Sequence, residues 1–197
     1  VDSHADIVPG GNTDGNREIF LAELTTTNFL SVDPIVDENG AVTLTGTFKD
    51  PGIRDVHTLS TDWDDPNNLV NSTFELGATN SLSVGDTFTS TSGDGAELTV
   101  TGVDLGTGQV SFSVQHQYLD DGLAPGNGTT SDTSTISVTV SDDDTGSVSG
   151  KTSVTVNNVA PTVDAGADLT GNESDSISFD GSFTDPGSAD VQTISWD

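Results

Sequence analysis

The sequence predicts an all-β protein built as a sandwich, and three observations carry that prediction. Apolar residues alternate with Ser and Thr at period two, Pro-Gly, Asp-Gly and Asn-Gly steps punctuate the runs, and a long stretch repeats. Alternation means that each run buries one face and wets the other, while the dipeptides supply turns at sandwich spacing. Ser and Thr are abundant and Ala, Lys and Glu scarce, so nothing favours helix over strand.

The runs are Val42–Phe48, Glu97–Val103, Val110–His116, Ile136–Val140 and Val148–Val156. The repeat is gapless: the thirteen residues from Phe48 to Ser60 recur from Phe183 to Ser195 at an offset of 135 residues, and Glu38–Thr47 matches Glu173–Ser182. Residues 28–158 therefore form one complete unit. Residues 159–197 begin a second, expected to contain three strands. About 130 residues can enclose a core, whereas the short second stretch cannot do so alone. The chain ends inside an alternating run and contains no Met, so it reads as part of a longer protein.

Charge and composition exclude several classes. Thirty-two acidic against four basic residues give a formal charge of −28. Such a chain repels nucleic acid and anionic membranes. With no Cys there are no disulfides, thiolate metal sites or thiol nucleophiles, and no apolar run is long enough for membrane insertion. No Gly-x-Ser-x-Gly or His-Glu-x-x-His occurs, so the chain reads as non-enzymatic. His57 becomes Gln192 in the second copy and is expected at an exposed strand position. His116 is expected beside the core or bonded to a turn, and Trp63 and Trp196 as core aromatics. Asn12–Glu18 carries alternating oxygen ligands like the start of an EF-hand loop but lacks its sixth-position Gly. Asn71, Asn127 and Asn172 each open a glycosylation sequon.

Taken together, Phe48-x-Asp50-Pro51-Gly52, Trp63, His116-Gln-Tyr118-Leu-Asp120-Asp121-Gly122, Ile136–Asp144 and the linker Val156–Pro161 resemble the polycystic-kidney-disease-type (PKD) domain. That resemblance implies an immunoglobulin-like β-sandwich found in tandem on large bacterial surface or secreted proteins. Where the family continues Gly-Asp-Gly after the Trp, this chain reads Asp64-Asp65-Pro66 and then carries an insertion at about 67–110, expected to widen one sheet. A second insertion, Leu123–Ser131, reads as a loop. Residues 1–27 form a separate N-terminal strand or tail, and Asp14–Leu24 is similar to a TolB-like propeller-blade strand. Either a propeller precedes it, or Ile19–Leu24 lies on a neighbouring sheet edge.

Many carboxylates, Asp86, Asp94 and Asp132 among them, read as solvated surface. Others cluster at strand ends. Laid out in immunoglobulin-like order, the strands bring Glu38, Asp120, Asp121, Asn157 and Asn158 to the far end, where Asp185 and Asp190 of the second unit join them. Asp50, Asp55, Asp142, Asp143 and Asp144 gather at the near end. An all-oxygen ligand set suits Ca²⁺, which takes 6–8 oxygens at about 2.3–2.6 Å with tolerant geometry; turn preference alone also favours Asp and Asn here. Cadherin junctions distribute acidic turns and an Asn-bearing linker in the same way, and that analogy implies calcium.

The expected function is a non-catalytic, calcium-stabilised extracellular or cell-surface repeat serving as spacer, adhesin stalk or matrix fibre. The alternatives are a carbohydrate- or protein-binding module and an accessory domain of an extracellular enzyme. Expected partners are calcium ions, neighbouring repeats of the same chain, other copies through strand addition, and surface polysaccharide.

Overall fold

Ten strands of the first unit divide into two five-stranded sheets in the structure, a computed structural model that describes residues 30–195. The Asn12–Glu18 ligand run, the Ile19–Leu24 strand and Trp196 lie outside the described residues. One sheet has the order β1 (Leu30–Ser31), β3 (Gly40–Lys49), β8 (Gln109–Tyr118), β7 (Glu97–Asp104), β6 (Thr87–Thr89). The other runs β2 (Ile35–Asp37), β10 (Ser147–Asn157), β9 (Ser131–Asp142), β4 (Val56–Asp62), β5 (Ser72–Ala78). All pairings are antiparallel except β2 with β10, so the first stretch of chain crosses from one sheet to the other between Ser31 and Ile35. Among the described residues no helix is long and apolar enough to cross a membrane.

Alternation explains the core. Val42, Leu44 and Phe48 of β3, Val110, Phe112 and Val114 of β8, and Leu98 and Val100 of β7 point inward from one sheet. Leu59, Phe74, Leu76, Ile136, Val138, Val140, Val154 and Val156 meet them from the other, making one apolar cluster. Each such side chain contributes about 1.5–3 kcal/mol by leaving water. Gly46 interrupts β3 because the Phe112 ring crosses its backbone, and a Cβ there would also stand 2.8 Å from Leu30 Cδ2. Trp63 closes the far side of the core, its Nε1 donating to Ser72 Oγ at 2.9 Å.

Three expectations change. The insertion widens both sheets. β5 extends the β4 hairpin, after which a 3₁₀ turn (Thr79–Ser81) carries the chain to the other layer, where β7 pairs with β8 and β6 with β7. Period two identifies a strand without identifying its neighbour.

His57 is buried, on the inward side of β4 with Leu59, against the Phe48 ring at 5.0 Å. Its Nε2 meets Asp50 Oδ2 at 2.9 Å, and Gln192 in the second copy donates to Asp185 Oδ2 at the same distance. The His-to-Gln exchange thus keeps a hydrogen-bonding nitrogen, which the solvent reading overlooked.

The described part of the second unit contains two strands, β11 (Thr162–Asp164) and β12 (Ser182–Thr184), not three. Ile177, Phe179, Phe183 and Ile194 are 41–68% exposed, and the covering layer seen in the first unit has no counterpart among the described residues. Their repeat equivalents Val42, Leu44, Phe48 and Leu59 are all core.

Candidate metal centre

The far-end site starts from a turn. Asn39 adopts φ 61°, a left-handed conformation that Asn tolerates, and this reverses the chain between β2 and β3 beside Glu38. Ser174, at the same place in the second copy, has φ 75°. Parallel pairing of Asp37 with Asn157 brings the turn against the exit of β10. There the Glu38 N–H donates to the Asn157 carbonyl at 2.9 Å, and the Val159 N–H donates to Glu38 Oε1 at 2.7 Å. Glu38 therefore grips the linker with backbone and side chain together.

Asp120 and Asp121 arrive from the end of β8, whose register with β3 (Gly40 opposite Tyr118) sets them beside the turn. Glu38, Asp120 and Asp121 are all buried, and their carboxylate oxygens lie within 4.8 Å of one another. Half-buried Asp185 and Asp190 come from the second unit's Asp-Pro-Gly loop and form a group of the same dimension with Glu38. The loop backbone presses so closely that a Cβ on Gly187 would stand 2.8 Å from Glu38 Oε1.

Donors match this concentration of charge only in part: Asp120 Oδ1 accepts from the Gly122 N–H and Asp121 Oδ2 from the Thr129 hydroxyl, each at 3.3 Å. Glu38 Oε2 and Asp120 Oδ2 are buried with no hydrogen-bond partner among the described residues. Burial pushes the Glu38 carboxyl up, the Val159 N–H pulls against it, and the negative Asp190, Asp185 and Asp120 push further. Burial likewise raises Asp121, helped by the adjoining Asp120 carboxyl, and raises Asp190, helped by Asp120 and Asp185. Buried like charges without partners are costly. Protons or a cation can relieve that cost, and an all-oxygen set suits a hard cation.

What the structure records of the two linker asparagines is their hold on the chain. Asn157 accepts through its carbonyl, as above, and its side-chain amide donates to Asp37 Oδ1 at 3.3 Å. The Asn158 N–H donates to the Thr130 carbonyl at 3.1 Å.

At the near end, Asp50, Asp55 and Asp142 form one close group, and Asp55, Asp143 and Asp144 another. These carboxylates are better supplied with donors. Asp50 Oδ1 accepts from the Gly52 N–H at 2.8 Å and Oδ2 faces His57. Asp142 Oδ1 accepts from the N–H groups of Asp144 and Gly146, and Asp143 Oδ1 from that of Val56. The β9–β10 turn that presents them holds Thr145 at φ 77°, a strained conformation for a β-branched residue.

The Asp-Pro-Gly loop is the same device in both units. The Gly52 N–H bonds Asp50 and the Asp55 N–H bonds the Gly52 carbonyl at 2.9 Å; Gly187 bonds Asp185 and Asp190 bonds Gly187, each at 3.1 Å.

His116 lies beside the core as expected, while its buried partner Asp65 and the donors to several other acids escaped sequence reasoning. His116 stacks on Trp63 with ring centroids 4.5 Å apart, and its Nε2 meets buried Asp65 Oδ2 at 2.9 Å. Asp94 is no solvated acid: Ser72 Oγ, itself the acceptor for Trp63, donates to it at 2.5 Å. Asp132 accepts from Asn127 and Thr129, and Asp86 from the Ser83 N–H. The consecutive acids Asp64-Asp65 directly after Trp63 were the available signal for the Asp65 partner. An open cleft runs beside this region, between Asp64–Asn71 and Asp121–Ser134.

Comparison with protein-family models, curated proteins and solved structures finds no match to this chain.

Proposed function

We propose that the chain is a non-catalytic, calcium-stabilised structural repeat of an extracellular or cell-surface protein, acting as a spacer, adhesin stalk or matrix fibre. The observation that carries this reading is the junction: two buried carboxylates of the same unit and two of the next converge on buried Glu38, with buried oxygens on Glu38 and Asp120 left without donors. A divalent ion converts mutual repulsion into a crosslink between units, and ligand bound only to the folded state adds its binding energy to stability. The strand order β1-β3-β8-β7 against β10-β9-β4 supports the immunoglobulin-like assignment that the PKD resemblance implies.

Thermal unfolding at fixed ionic strength, with calcium and then with a chelator, tests the proposal. At about 100-fold saturation of one site the folded state gains about 2.7 kcal/mol. The expected result is a clear rise in Tm with calcium and little with magnesium, whose strict octahedron suits this crowded set poorly. An unchanged Tm would contradict it.

The cleft favours a second reading, a recognition module for a polysaccharide or protein. Glycan-array or pull-down binding that disappears on replacing Asn68 and Asn71 with Ala would support that reading, and binding that survives the change would oppose it.

A further inference from the structure

The five junction carboxylates do not form one group. They fall into two, Glu38 with Asp120 and Asp121, and Glu38 with Asp185 and Asp190, with Glu38 the member in common. No close group joins Asp120 or Asp121 to Asp185 or Asp190. The two oxygens of Glu38 are also differently placed. Oε1 accepts from the linker N–H of Val159 and lies on the side of Gly187, whereas Oε2 is buried and unpartnered, as is Asp120 Oδ2.

We infer that the junction holds two calcium ions sharing Glu38, an inner ion bound by Glu38, Asp120 and Asp121 and an outer ion bound by Glu38, Asp185 and Asp190. The inference rests on the calcium reading proposed above. Charge supports the count, since one divalent ion would leave most of the charge of five carboxylates uncompensated, two of them fully buried beside Glu38. The two ions also differ in what they do. All inner ligands belong to the first sandwich, on a turn and a strand end fixed by β3–β8 pairing, so this ion stabilises that unit by itself. The outer ion draws ligands from both units and alone ties them together. Filling the inner site relieves repulsion on the shared carboxylate and holds it in place, so the outer ion binds to a prepared partner.

Equilibrium dialysis with calcium, counting ions bound per chain, tests this on the full chain. Differences between variants are compared, so ions held elsewhere cancel. Far-UV circular dichroism checks that each variant folds. Asp185→Asn with Asp190→Asn should release one ion and leave the calcium-dependent rise in stability of the first unit in place. Asp120→Asn with Asp121→Asn should also release one. The four changes together, and Glu38→Gln alone, should each release two. Glu38→Gln keeps an acceptor for the Val159 N–H; should it fail to fold, the fourfold variant decides the count. A loss of one ion from the fourfold variant means a single shared site and overturns the inference while leaving the calcium reading intact. No loss from any variant overturns both.

Discussion

Glu38 shows how much a single residue can carry. Its backbone N–H, one carboxylate oxygen and the neighbouring αL turn all serve to fasten the linker, and the other oxygen is buried without a hydrogen-bond partner among the described residues. His57 is the near-end counterpart of Gln192, and the comparison makes a residue-scale prediction. His57→Gln keeps a donor for Asp50, whereas His57→Leu leaves a buried carboxylate oxygen without one, which costs about 1–3 kcal/mol. Urea unfolding should therefore rank His57→Leu well below His57→Gln, and equal stability of the two would contradict the assigned role. Gly46→Ala forces a methyl into the Phe112 ring and should cost about 1–3 kcal/mol by the same measurement.

Asp94 gives a pH prediction. Burial raises its carboxyl, but hydrogen bonds from Ser72, Ser90 and the Ala96 N–H together outweigh burial and hold it below the usual Asp range. A depressed acid contributes stability that is present above its unfolded pKa and lost as pH falls through its folded one. The stability gap between the wild type and Asp94→Asn should be widest near neutral pH and close below about pH 4. A gap that does not vary with pH would show that Asp94 acts by packing alone.

At the scale of elements, the strands were legible because Ser and Thr mark the wet face so regularly, as in Val42–Phe48 and Val110–His116. The site's two ends were legible too, since antiparallel strands return the chain to alternate ends and fix where Glu38, Asp120 and Asp142 must lie. Partner choice was not: nothing in the alternation of Glu97–Val103 says that it joins β8 while Ser72–Ala78 joins β4. His57 was misread because a polar residue on an inward position looks the same in sequence as one on an outward position. The insertion's role follows from the structure. Because Phe74, Leu76, Leu98 and Val100 belong to the common core, deleting residues 67–108 should abolish cooperative unfolding and near-UV ellipticity. A deletion variant that still melts cooperatively would show the insertion to be an accessory layer.

For the whole molecule, the junction between units is the part proposed to respond to calcium. The first unit's core is built without it, from apolar residues of both sheets, whereas the linker from Asn157 onward is held to that core by Glu38 and Asp185 and Asp190 crowd the same carboxylate. A tandem array of such units would stiffen in calcium and flex in a chelator. Amide hydrogen exchange along residues 157–162, in calcium and in a chelator, tests that claim most directly. Calcium should slow exchange in the linker on the order of tenfold or more, which corresponds to about 1.4 kcal/mol of added protection. Equal linker exchange in calcium and in chelator would contradict the account.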